Sequence, residues 1–271
     1  MNFSVLISVY YKEDPTFLED ALNSIEQQTL TPNEIVLVKD GPLTPALEHV
    51  IISHVEQAVV PYKIVSLTKN VGLGKALNIG ITACTFKWVA RMDSDDISHT
   101  DRFEKQIHYL TNNPSIDILG TWICEFDTDI RHCESLRKTP ATHQEILKYA
   151  KYSNPINHMS VIFKKSAVVK AGSYKPMQGF EDYYLWIRLL QQGSRFANLD
   201  EILVNVRRGE EMLQRRRGWV YIQNEWQFAH AAKKLQFLNY FEFFRNIILR
   251  IPPRILPSFI LKKLYNAVRK H

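Results

Sequence analysis

Phe86-Lys87-Trp88-Val89-Ala90-Arg91-Met92-Asp93-Ser94-Asp95-Asp96 is the stretch on which the fold turns. Phe86–Arg91 reads as a short apolar strand, and three carboxylates crowd into the four residues beyond it. Working back toward the start, the same unit recurs. Phe3–Val9 is apolar through most of its length, as a buried parallel strand is. Asp14-Pro15 supplies an N-cap and a proline at the first helical position, and a helix follows to about Thr29. Glu34–Lys39 is a second strand ending at Asp40-Gly41-Pro42, and Ala46–Gln57 a second helix. Tyr62–Leu67 is a third strand ending near Asn70, and Gly74–Ala83 a third helix. After the acidic cluster, Asp101–Thr111 is helical again. Strand and helix thus alternate four times, which implies an α/β fold with a mostly parallel sheet and helices on both faces. Such sheets bind ligands beyond the carboxyl ends of their strands, where Asp40, Asn70 and residues 93–96 fall.

Working forward, the pattern loosens. Ile116–Phe126 reads as one or two strands, Ser160–Phe163 as another, Phe180–Gln191 as a helix and Ile202–Val206 as a strand. From about Gly209 the periodicity is helical to the end, broken at Pro252-Pro253 and Pro257. The 271 residues carry a net charge of +6, but from Arg207 onward there are 14 Lys/Arg against 4 Asp/Glu, so residues 1–206 are net −4. That asymmetry assigns an anionic partner to the C-terminal quarter. Cys84, Cys124 and Cys133 are few, widely spaced and without a CxxC pair, which reads as three free thiols in a reducing compartment. Met1–Val9 lacks a basic leader and a cleavage site, and no apolar run reaches the length of a membrane span.

The chemistry-bearing candidates lie on the predicted ligand edge. Asp93, Asp95 and Asp96 offer hard oxygen ligands at a density suited to Mg²⁺ or Mn²⁺, although an isolated cluster of this kind is also an ordinary solvated turn. Asp40-Gly41-Pro42 is a good turn. Asn70-Val71-Gly72-Leu73-Gly74-Lys75 opens a helix without matching a dinucleotide or Walker loop, and Lys75 there suits an anion. Glu181-Asp182 begins a helix, either as dipole-favoured first-turn carboxylates or as a general base.

Taken in order, these segments resemble the family 2 glycosyltransferases. Val5–Glu13 is similar to that family's opening strand and loop, Ile35–Gly41 to its second strand with an acidic end, and Asn70–Asn78 to its NxGxxxARN segment. Asp93–Asp96 with Asp101-Arg102-Phe103 resembles its DSDD segment, and Gly179–Trp186 its ED segment. The resemblance covers about residues 3–206. It implies a GT-A fold, a nucleotide-diphosphate sugar donor (usually UDP-linked), and inversion at the anomeric carbon. It also implies roles: Tyr10, Tyr11, Glu13, Asp40, Asn70, Gly72, Lys75, Asp93 and Ser94 on the nucleotide side; Asp95 with Asp93 and Asp96 on Mn²⁺ or Mg²⁺; Asp182 as catalytic base with Glu181 beside it. His158 and Phe180 are placed on the acceptor side, His158 equally as a buried structural histidine. Arg207 and Arg208 either fold over the diphosphate or begin the basic tail. The sequence departs from the family pattern at Tyr11, Lys39, Pro42, Lys75 and Leu77, all on the nucleotide side.

The domain division that follows is a catalytic domain over 1–208, with nucleotide-sugar binding in 1–100 and acceptor binding in 101–208. A helical, amphipathic, basic extension occupies 209–271. In that extension Tyr240, Phe241, Phe244, Ile247, Ile248 and Ile251 form one apolar stripe. Ile260, Leu261, Leu264, Tyr265 and Val268 form a second, opposite Lys262, Lys263, Arg269 and Lys270. Such helices either lie on an anionic membrane surface or pack on the catalytic domain. The first alternative suits a polyprenyl-diphosphate-linked glycan acceptor on the cytoplasmic face of the inner membrane, with the enzyme cytoplasmic and peripheral. Three other readings compete: a nucleotide-sugar-forming nucleotidyltransferase, whose glycine-rich first loop is missing from Tyr10–Asp14; a nucleic-acid-binding module, for which no motif is present; and a non-catalytic protein of the same fold.

Overall fold

β1 (Phe3–Val9) lies at the centre of a sheet built from the N-terminal half of the chain, flanked in parallel by β2 (Glu34–Lys39) and β4 (Trp88–Asp93), with β3 (Tyr62–Ser66) outside β2. These elements come from a computed structural model that describes residues 1–208 and 218–252. Side chains alternate across β1 and β2 to two separate cores, which is why helices cover both faces. Val5, Ile7, Ile35 and Leu37 meet α1 (Pro15–Glu26), α2 (Pro45–Gln57) and α4 (Arg102–Asn112), whereas Leu6, Val36 and Val38 meet α3 (Leu73–Ala83). Asp14 caps α1 through the Thr16 amide at 2.8 Å, with Pro15 in the first turn. Gly80 lets α3 lie close on the sheet, since a Cβ there would sit 2.3 Å from Leu6 Cδ1 and 2.8 Å from Val38 Cγ2.

β4 begins two residues later than the apolar pattern suggests and runs on to Asp93, which pairs with Ser8 of β1. The shift has a cause: the Thr85 amide is taken by the Glu34 carboxylate and the Phe86 amide by Ser4 Oγ, so the approach to the strand is tied by side chains rather than by the ladder. Asp93 is thereby held in a strand instead of a free turn.

The second half of the sheet is mixed. β8 (Ile162–Lys164) is antiparallel to β4, and β6 (Ile118–Phe126) is antiparallel to β8. β9 (Phe196–Arg207) runs parallel to β6, with register shifts opposite Trp122. Two-residue β5 (Ile97–Ser98) pairs with the far side of β9. β9 is more than twice the length that Ile202–Val206 suggests, because charged Asp200 and Glu201 interrupt its apolar pattern at the bulge. β5, the short hairpin strand β7 (Ser135–Arg137), α5 (His143–Tyr149) and α6 (Lys165–Lys170) lack a periodic signal long enough to read. The expectation of three free thiols is corrected here. The β6–β7 hairpin brings Cys124 and Cys133 together as a disulfide with Cα atoms 5.6 Å apart, and only Cys84 is a buried free thiol, its pKa pushed up to about 12 by burial.

α7 (Glu181–Gln191) packs against the sheet and against α8 (Gly218–Lys234), which precedes α9 (Tyr240–Arg250). Phe228, Ala232, Phe237 and Leu238 share one buried cluster with Tyr183 and Trp186 of α7. A buried ion pair joins Arg250 to Glu225, and the Arg250 guanidinium lies over Phe180, Tyr183 and Phe228. The described part of the C-terminal segment is thus docked on the rest of the chain by one face. Its other face leaves Tyr240, Phe241, Phe244, Ile248 and Leu249 more than half exposed. The stripe from Ile260 to Val268 lies outside the described residues. Among those described, no helix is long and apolar enough to cross a membrane.

Candidate active site

Three loops meet at the carboxyl ends of β1, β2 and β4. The loop after β1 turns through a Glu13 N–H to Tyr10 carbonyl bond, which sends the Glu13 carboxylate onto Ser94 Oγ of the acidic cluster. Burial raises the Glu13 pKa, and the Ser94 bond partly offsets that. Tyr10 and Tyr11 stand edge to face at 5.9 Å beside this contact, Tyr11 half exposed.

Asp40, at the end of β2, is buried, and its carboxylate is turned onto the loop that precedes α3. One carboxylate oxygen accepts the Val71 N–H at 2.7 Å and the other the Gly72 N–H at 3.1 Å, while the Asn70 amide donates to the Asp40 carbonyl. Gly41 follows at φ +92°, and a Cβ there would lie 2.6 Å from the Asn70 nitrogen. Asp40, Gly41, Asn70 and Gly72 thus form one clamp that fixes the start of α3, with Lys75 exposed in its first turn.

In the acidic cluster, carboxylate oxygens of Asp93, Asp95 and Asp96 lie within 4.8 Å of one another. Their environments differ. Asp93 is ion-paired to Arg91, whose guanidinium is buried in β4 with Nε and Nη1 lacking any hydrogen-bond partner. Asp96 accepts the Arg207 N–H at 3.0 Å through Oδ1, and its buried Oδ2 has no partner. Burial first, then the neighbouring Asp93 and Glu13, pushes Asp95 up to about 7; burial first, then Asp95 and Asp93, pushes Asp96 well up. Crowded, desolvated carboxylates with an orphaned oxygen are what a divalent cation relieves, so the residues fit Mg²⁺ or Mn²⁺ held by oxygen. Buried Arg102 lies beneath, donating to the Arg91 carbonyl at 2.8 Å and to Ser98 Oγ at 2.9 Å.

On the opposite side stands the start of α7. Glu181 abuts the start of α3, where a Cβ on Gly74 would lie 3.5 Å from Glu181 Cγ, and burial raises the Glu181 pKa. Asp182 accepts a hydrogen bond from Asn154 Nδ2 at 2.6 Å. The charges of Asp182, Asp93 and Arg91 all bear on the buried Tyr174 hydroxyl. Asn78 clamps the Tyr174 backbone on both sides at 2.8 Å.

Other candidates take different places. His158 Nε2 lies 2.7 Å from the Tyr174 hydroxyl and its ring stands 6.0 Å from Trp186; burial, then Arg91, lowers its pKa well below the usual imidazole range. It is a neutral member of an aromatic cluster, the structural alternative of the two. Phe180 is buried and stacked on Phe228 at 5.0 Å. The Arg207 guanidinium is engaged by the Asp95 carbonyl, by Asp20 at 2.9 Å and by the Phe17 ring, which ties β9 to the acidic loop. Arg208 donates its N–H to the Phe126 carbonyl. Arg91, Asn154 and Tyr174 were not legible as site residues. Only Arg91 carried a signal, as a lone charge inside an otherwise apolar strand, which demands a buried partner.

Comparison with known proteins places this geometry. The model of the family described as Glycosyl transferase family 2 matches residues 4–168. The chain is 42% identical over 268 residues to the amylovoran biosynthesis glycosyltransferase AmsE of Erwinia amylovora, covering 99% of each. It is 37% identical over 267 residues to the UDP-Gal:alpha-D-GlcNAc-diphosphoundecaprenol beta-1,3-galactosyltransferase of Escherichia coli, covering 98% of this chain and 96% of that one. Among solved structures, S. aureus TarS 1-349 in complex with UDP-GlcNAc matches with TM-score 0.67 at 17% identity, over 94% of this chain and 72% of that one. The mannosyltransferase PcManGT of Pyrobaculum calidifontis, in complex with GDP-Man and Mn2+, matches with TM-score 0.64 at 15% identity, over all of this chain and 81% of that one.

Proposed function

Because the chain belongs to the family 2 glycosyltransferases, we propose that it transfers a hexose, with inversion, from a UDP-sugar to a hydroxyl of a polyprenyl-diphosphate-linked glycan in bacterial polysaccharide assembly. The observation that carries this reading is the metal-fitting cluster of Asp93, Asp95 and Asp96 at the carboxyl end of β4, and the first-turn pair Glu181-Asp182 of α7, with Glu181 against the start of α3, supports it. Tyr10, Tyr11 and Glu13 receive the nucleotide, while the clamped Asn70–Gly72 loop and Lys75 border the diphosphate. Asp95 holds Mn²⁺ or Mg²⁺ with Asp93 and Asp96, and the ion, when bound, neutralises the departing diphosphate. Asp182 takes the proton of the acceptor hydroxyl as its oxygen bonds to the anomeric carbon. The bond from that carbon to the UDP oxygen breaks on the opposite face, so configuration inverts. Glu181, its pKa raised by burial, stands beside the base.

The two full-length relatives named above support the pathway, and the lipid-linked acceptor named for one of them supports the acceptor class. The exposed Tyr240, Phe241, Phe244, Ile248 and Leu249 support a peripheral position on an anionic membrane surface, where a lipid-linked acceptor is presented. The absence of any glycine from Tyr10–Asp14 disfavours nucleotide-sugar formation. The test is calorimetric titration with UDP in Mn²⁺ and again in EDTA, then UDP release from UDP-galactose, UDP-glucose and UDP-GlcNAc with a synthetic GlcNAc-diphospho-lipid. Metal-dependent UDP binding with turnover of one donor is the expected result; no nucleotide binding in either condition refutes the reading.

A further inference from the structure

We propose that Asn154 is the positioning residue of the catalytic base: it selects which oxygen of Asp182 receives the acceptor proton. The inference rests on Asp182 being the base. Asn154 Nδ2 donates to Asp182 Oδ2 at 2.6 Å, which leaves Oδ1 as the oxygen for the acceptor hydroxyl. The amide cannot be turned around without loss, because Asn154 Oδ1 accepts the Ile156 N–H at 3.4 Å on its other side. A flipped amide would set a carbonyl against the Asp182 carboxylate and N–H against N–H.

The segment that carries Asn154 is held at many points, as a positioning group requires. Pro155 restricts residue 154 to extended backbone. The Asn154 carbonyl accepts Arg137 Nη2 at 3.0 Å, and the Pro155 carbonyl accepts Asn198 Nδ2 at 3.1 Å. Ile156 and Asn157 are fully buried, and Asn157 Nδ2 donates to the Thr121 carbonyl at 2.7 Å. These ties anchor Asn154 to β6, β7 and β9, none of which contributes a carboxylate to the base. Asp182 itself sits in the first turn of α7, anchored by the apolar cluster around Tyr183 and Trp186. The Asn154–Asp182 bond is therefore made between two segments fixed by their own ties, whose buried residues Ile156, Tyr183 and Trp186 share one apolar cluster. Glu181 on its own helix and Tyr174 on the segment before it are titratable groups that couple to Asp182, and Asp93 and Arg91 bear on Tyr174 as well. Asn154 is a neutral donor among them, and its bond is made to one oxygen of the carboxylate alone.

Two variants of the full chain test the assignment, with Asp182→Asn as reference and UDP release to the GlcNAc-diphospho-lipid as the assay. Asn154→Ala is expected to lower kcat about 10- to 100-fold, the range for groups that orient a reacting residue, while calorimetric UDP binding is unchanged. Asn154→Asp is nearly isosteric and sets a second carboxylate against Asp182. It moves the acid limb of the kcat–pH profile upward by about one unit or more, as paired carboxylates do. A residue with only a structural role would not shift that limb. Wild-type kcat and pH profile in Asn154→Asp, with Asp182→Asn inactive, overturns the inference and leaves the base in place. Loss of UDP binding in both Asn154 variants also overturns it. Turnover by Asp182→Asn, or none by the wild type, removes the base reading and the inference with it.

Discussion

Replacing Asp40 by alanine separates two roles for one carboxylate. The family resemblance puts Asp40 against the nucleotide, whereas the folded chain turns both its oxygens onto the Val71 and Gly72 amides, at 2.7 and 3.1 Å. Hydrogen bonds to a buried ionised group are worth about 1.5–3 kcal/mol each. Gly72 is exposed and Val71 half-buried, so both amides regain water in the variant, and the loss comes to about 2–3 kcal/mol. For a chain of this size that lowers Tm by about 4–10 °C. The clamp also fixes the start of α3, so UDP affinity falls as a consequence of the loosened loop. Thermal unfolding with and without UDP and Mn²⁺ reads both effects, and saturating ligand restores part of the lost Tm if the loop reorders on binding. A Tm within about 1 °C of wild type, together with weakened UDP binding, would refute the clamp and return Asp40 to direct nucleotide contact.

The acidic cluster makes a pH prediction of definite sign. Asp95 is raised from 3.8 to about 7, so between those values the folded chain holds a proton that the unfolded chain has lost. The contribution of this group to metal-free stability therefore falls as pH rises through that window. A proton also competes with the ion, so Mn²⁺ affinity, read by titration without nucleotide, should drop about tenfold per pH unit below about 7. Asp95→Asn should weaken Mn²⁺ binding at every pH in that window, and a flat profile in the wild type would sink the assignment. Asp182→Asn should keep UDP binding and lose transfer by about 10²–10⁴-fold; near-normal turnover reassigns the base. The double change Phe241→Glu and Phe244→Glu, on the exposed face of α9, should cut binding to phosphatidylglycerol vesicles at least about tenfold at unchanged Tm. Retained binding would locate the membrane contact elsewhere.

Much of the parallel half-sheet was readable because each of its strands is a local object. An apolar run of five to seven residues, a polar end and an amphipathic helix suffice to specify β1 to β3 and α1 to α3, and a capping Asp14-Pro15 marks its own helix start. The acidic cluster and Glu181-Asp182 were legible for the same reason, since adjacent residues share a place whatever the fold does. What remained hidden depends on partners distant in sequence. Asp40 reads as a turn residue until residues 70–72 are brought to it. Cys124 and Cys133 read as separate thiols until a hairpin with no strong turn signal folds back on β6. Asn154 and Asp182 stand 28 residues apart and touch only because Asn198, Arg137 and the α7 core fix both sides of the contact. The sequence by itself determined which chemical groups exist and at which strand and helix ends they stand, because propensity and periodicity are local. Tertiary structure alone decided which of those groups face a ligand and which are consumed holding the loops, because hydrogen bonds and burial are settled between segments, not within them.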